Sequence, residues 1–73
     1  MSDDQLDRAV RALTRRRPFQ PYALELVTGE RLSVAHPEAF TREGYLFLYR
    51  ETNFGSRILT GDSVCQVIVP PPA

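Results

Sequence analysis

Pro18-Phe19-Gln20-Pro21-Tyr22-Ala23-Leu24-Glu25-Leu26-Val27-Thr28-Gly29-Glu30-Arg31-Leu32-Ser33-Val34, residues 18–34, is the stretch that decides the fold class. Two prolines lead into a segment in which Tyr22, Leu24 and Leu26 share one face and Ala23, Glu25 and Val27 the other. A period of two marks a half-buried strand. Thr28-Gly29 predicts a turn, because glycine supplies the positive φ that hairpin turns need. A second strand follows over residues 30–35, with Leu32 and Val34 inward. His36-Pro37-Glu38 ends it, since proline cannot sit inside a central strand.

Working outward, residues 3–16 predict an amphipathic helix. Ser2 and Gln5 stand at capping-box spacing, with Met1 and Leu6 placed as a hydrophobic staple. Leu6, Val10 and Leu13 recur at i, i+4 and i+7, with Ala9 on the same face. Asp3, Asp4 and Asp7 near its start and Arg15, Arg16 and Arg17 at its end suit the helix dipole. Pro18 stops it. Residues 39–44 read as a linker anchored by a buried Phe40. A third strand over 45–50 carries Tyr45, Phe47 and Tyr49 on one face and Leu46 and Leu48 on the other, which suits a central strand. Residues 52–56 read as a turn, 57–60 as a fourth strand, Gly61-Asp62 as a tight corner and 64–69 as a fifth strand. Residues 70–73 begin Pro70-Pro71-Pro72, a polyproline tail. The expectation is a single α+β domain, mainly β, over 1–73. A helix precedes a five-stranded antiparallel sheet, strongly curved or rolled into a small barrel.

A domain of 73 residues buries only roughly 60% of its unfolded surface. Most apolar side chains are therefore needed for the core. The net charge is zero and all nine basic residues are arginine. Neutrality argues against a dedicated DNA-binding protein, whose domain is usually strongly basic. Cys65 is the only cysteine, so no intrachain disulfide forms, as suits a reducing cytoplasm. The polar start lacks the apolar stretch of a signal peptide, and no apolar run reaches transmembrane length. A cytoplasmic protein is expected.

Arg17-Pro18-Phe19-Gln20-Pro21-Tyr22, with Leu24, Leu26, Thr28-Gly29 and then His36-Pro37-Glu38, resembles a group of short uncharacterised bacterial proteins that share an R-x-P-F-x-P-F/Y lead-in to a hairpin. That resemblance implies no activity. A helix followed by five short strands, with a corner before the last, also resembles the Sm-like barrel. Leu26-Val27-Thr28-Gly29-Glu30 is similar to its first hairpin, and Ile58-Leu59-Thr60-Gly61-Asp62-Ser63-Val64 to its second motif. Thr60 stands where that motif carries arginine, and no Asp or Asn lies between Arg31 and Glu51. The resemblance thus implies an Sm-like or SH3-like fold rather than RNA binding, since fold alone does not carry function.

The residues assemble no catalytic set. His36 is the only histidine, and no serine sits in a nucleophile elbow. Cys65 in an apolar strand reads as a buried, inert thiol. No metal-ligand spacing and no phosphate-cradling glycine loop occur, so neither metal nor cofactor is expected. Two binding readings stay open. The first is a non-enzymatic module for protein interaction or homo-oligomerisation, using the edge of the fifth strand at Val64, Gln66 and Ile68. The second is RNA or single-stranded nucleic-acid binding, or contact with another anion, through Arg15, Arg16 and Arg17, with Phe19 and Tyr22 as stacking surfaces.

Overall fold

The computed structural model describes residues 1–51 and 55–71. Helix α1 spans Asp3–Thr14. The Ser2 hydroxyl accepts from the Gln5 amide and the Gln5 side chain accepts from the Ser2 amide, both at 3.1 Å. This reciprocal cap satisfies two otherwise orphaned donors, and losing the serine cap costs about 1 kcal/mol. Leu6, Val10 and Leu13 form the buried face. The helix ends two residues before the expected Arg16, and the Arg17 guanidinium donates at 3.1 Å to the carbonyl of Thr14, its last residue, and to that of Arg16 beyond it.

Six strands follow among the described residues: β1 Tyr22–Leu26, β2 Arg31–Val34, β3 Phe40–Glu43, β4 Leu46–Glu51, β5 Gly55–Leu59 and β6 Val64–Ile68. Short 3-10 turns at Pro37–Ala39 and Gly61–Ser63 separate β2 from β3 and β5 from β6. The strands make two three-stranded antiparallel sheets, in the orders β2-β1-β6 and β3-β4-β5. The protein is therefore α+β and mainly β, with the strands split between two sheets and not closed into a barrel.

The count differs from the expected five because residues 40–43 are a strand, not a linker. Glu43 pairs with Leu46 across the two-residue turn Gly44-Tyr45. Gly44 has φ 65° and no non-glycine residue among those described has positive φ, the pattern of a hairpin turn with glycine at its first central position. This moves Tyr45 out of the expected aromatic row: it is 89% exposed, whereas Phe47 is fully buried and Tyr49 nearly so. The first hairpin also differs in detail. Leu26 and Glu30 close a three-residue loop, with Leu26 N–H donating to the Glu30 carbonyl (2.8 Å) and Gly29 N–H to the Leu26 carbonyl (2.9 Å). Val27 thus lies in the loop and is exposed, its amide donating to Ser63. Of the expected turn at 52–56, residues 52–54 lie outside the described residues, and Gly55 and Ser56 already belong to β5. Pro70 and Pro71 form no strand; residues 72–73 lie outside the described residues.

Both sheets turn one face toward a shared core. Phe40 stacks on Phe47 at 5.6 Å between ring centres, surrounded by Leu24, Val34, Leu59, Val64 and the apolar face of α1. Two polar links join the sheets. The Tyr49 hydroxyl donates to the Ser33 carbonyl at 2.8 Å. Arg57 on β5 makes a two-pronged ion pair with Glu30, at 2.7 and 3.0 Å.

Candidate functional site

Two concave places are built on opposite features of this frame. The first lies on the outer face of the β2-β1-β6 sheet. There the strand register stacks side chains in rows. Arg31, Glu25 and Gln66 face one another, with Arg31 Nε at 3.2 Å and Gln66 Nε2 at 2.8 Å from the Glu25 carboxylate. The next row is Ser33, Ala23 and Ile68. Its small side chains leave an apolar groove of about 270 Å³, walled by Pro21, Ala35 and Pro70. Strand β6 closes this sheet, and its outer edge pairs with no strand among the described residues.

The three edge residues read from sequence do not share a face. The pairing slips between Glu25/Gln66 and Leu26/Val64, so β6 carries a bulge with Cys65 as the extra residue. A bulge reverses the alternation. Val64 therefore points into the core, fully buried, and its carbonyl accepts the Met1 ammonium at 3.0 Å. Gln66 and Ile68 point outward, and Ile68 lines the groove. The same bulge places Cys65 at the surface, correcting the expectation of a buried thiol.

The second place lies between α1 and β3. Val10, Thr14, Pro37, Phe40 and Thr41 line a groove of about 210 Å³ rimmed by Asp7, Arg11, Arg15 and Arg42. Asp7 is held by Arg11 Nε at 3.1 Å and Arg42 Nη1 at 3.4 Å. Arg42 is engaged further: its Nε donates to the Gly44 carbonyl at 2.9 Å and its guanidinium lies 5.6 Å from the Phe47 ring centre. Arg50 fixes the opposite wall by donating to the Glu38 carbonyl and the Thr41 hydroxyl, at 2.8 and 2.9 Å.

The arginine run is divided by this arrangement. Arg17 caps the helix, Arg15 lines the groove, and Arg16 is exposed away from it. Neither Arg15 nor Arg16 pairs with a carboxylate among the described residues. The expected stacking surfaces are absorbed by packing. Tyr22 is buried edge-on against Phe19, 6.2 Å away, and burial pushes its hydroxyl pKa up to about 12. Sequence reasoning missed Asp7 and Arg42 as rim residues, because only the packing of α1 on β3 brings them together. His36 is exposed at the start of the first 3-10 turn, and its side chain makes no capping bond.

No protein-family model matches this chain, nor does any curated protein or solved structure. No helix among the described residues is long and apolar enough to cross a membrane.

Proposed function

We propose that this protein is a non-enzymatic interaction module that accepts an extended strand along the outer edge of β6. The strand comes from a second copy, through the similarly placed edge of β5, or from another protein. The observation that carries this reading is the position of β6 at a sheet edge, with an apolar groove beside it walled by Ile68 and Pro70. An unpaired edge offers a row of backbone donors and acceptors, and an adjacent pocket adds side-chain selectivity. Ile58 on the β5 edge is 62% exposed, apolar surface that a neighbour would cover. The connectivity also supports it. A helix precedes two hairpin-linked sheets, and a 3-10 corner returns the last strand to the first. This helix-then-strands order is similar to that of Sm-like and SH3-like binding modules, but with six strands in two open sheets in place of a five-stranded barrel.

Size exclusion with light scattering, at low and at high salt, tests this reading. A defined oligomer that persists in high salt and is lost in Ile68→Lys supports it. If the protein is monomeric, a partner captured by the wild type and lost with Ile68→Lys at unchanged stability supports it. A charge on Ile68 that changes neither association nor capture refutes it. Nucleic acid that co-purifies and is stripped by salt favours the Arg15–Arg17 reading instead.

A further inference from the structure

The groove between α1 and β3 carries chemistry that the β6 edge does not use. Arg11 in the last turn of α1 and Arg15 at its C-cap are i, i+4 neighbours, and both rim it. Like charges at that spacing repel and destabilise a helix. Asp7 relieves Arg11 but sits two turns from Arg15, which has no carboxylate partner among the described residues. The rim holds three guanidinium groups against one carboxylate. Below the rim the walls are apolar, from Val10, Pro37 and Phe40. The Phe40 ring is stacked on Phe47 and fully buried, so it offers no face on which a base could lie. A ligand matched to this groove carries a planar anion that a guanidinium fork can grip, joined to an aliphatic or aromatic body. Asp7 shows that a carboxylate fits among these arginines, its Oδ2 meeting both Arg11 and Arg42.

We propose that this groove binds an acidic segment of a partner protein. One Asp or Glu of the segment sits between Arg11 and Arg15, and a neighbouring apolar side chain rests on Pro37, above the buried Val10 and Phe40. The site is independent of the β6 edge, since no residue lines both grooves.

The test is selection from a random heptapeptide display library against the wild-type protein and against Arg15→Gln. A synthetic selected peptide is then titrated into the isotope-labelled protein by NMR. The expected result is enrichment of Asp or Glu beside Leu, Ile or Phe, with amide shifts centred on Val10, Arg11, Thr14, Arg15 and Thr41. Arg15→Gln removes a charge-assisted contact and weakens the peptide about tenfold without lowering the melting temperature. Replacing the peptide's apolar residue by Gly weakens it too. The proposal is overturned by absence of a shared acidic-apolar motif, by a motif equally enriched on Arg15→Gln, or by shifts centred elsewhere. It is also overturned if an oligouridine displaces the peptide at lower concentration than the peptide itself requires. Salt-sensitive self-association abolished by Arg15→Gln assigns the groove to a second copy and overturns it as well.

Discussion

The Gly61 amide donates to the Asp3 carboxylate at 2.7 Å, tying the first turn of α1 to the corner that precedes β6. The contact is so close that a Cβ on Gly61 would lie 2.5 Å from Asp3 Oδ1, 2.7 Å from the Asp3 nitrogen and 2.8 Å from the Met1 carbonyl oxygen. Two of those three atoms are backbone and cannot rotate away. Gly61→Ala is expected to destabilise the fold by about 1–3 kcal/mol, the usual cost of overpacking. Urea denaturation measures it, and a midpoint equal to wild type would show that the helix start is not held to this corner.

Phe47 and Tyr45 form a second contrast. They are two residues apart, yet one is fully buried and the other 89% exposed. Phe47→Ala is expected to cost about 3–5 kcal/mol, enough to unfold most of the population of a marginal small domain. Tyr45→Ala is expected to stay within about 0.5 kcal/mol of wild type. Thermal melts of both variants check the assignment of Tyr45 to the turn.

Tyr22 contributes to the alkaline limb of stability. Its hydroxyl is buried without a hydrogen-bond partner among the described residues, and burial raises its pKa from 10.0 to about 12. A folded pKa above the unfolded one gives stability that is complete below pH 10 and lost as pH rises toward the folded value. Stability is expected to fall between pH 10 and about 12, and Tyr22→Phe to flatten that fall. The same variant removes an unpaired polar group and is expected to be neutral or stabilising at pH 7. Denaturant midpoints across the pH series measure both effects.

Glu30 has its pKa lowered, chiefly by its hydrogen bond from Arg57. A depressed carboxylate contributes stability above its unfolded pKa and loses it as pH falls through the folded value. Arg57→Gln is expected to return the Glu30 titration upward toward the ordinary carboxylate range. Side-chain carboxyl shifts followed by NMR from neutral to acid pH report it directly.

Cys65 is exposed at the β6 bulge. A thiol-specific reagent is expected to label it completely in the folded protein without prior denaturant. Labelling that requires denaturant would put the thiol, and with it the bulge, back inside.

The first hairpin and the capped helix were legible because each rests on local chemistry: alternation about Leu24, glycine at a turn, a Ser2–Gln5 pair. Strand β3 was not, because Phe40–Glu43 contains a single buried apolar residue and shows no alternation. Gly44-Tyr45 was the available signal for it. The inward and outward sides of β6 were misread because one bulged residue breaks a period of two, and nothing in Val64–Ile68 announces the bulge. Arg15 was legible as a candidate but its surroundings were not. Asp7, Pro37 and Arg42 meet it only through tertiary packing.

The division into two sheets sets an order of assembly. Strands β3, β4 and β5 are sequence neighbours that pair in succession, so little chain must be gathered to form them. Strand β6 meets β1 only across a long excursion; Gln66 and Glu25 are 41 residues apart. Contacts of that separation are slow to form. Until it docks, the outer edge of β1 is open beside a loose last strand. Two chains at high concentration can then exchange that strand and become intertwined, so refolding yield is expected to depend on protein concentration.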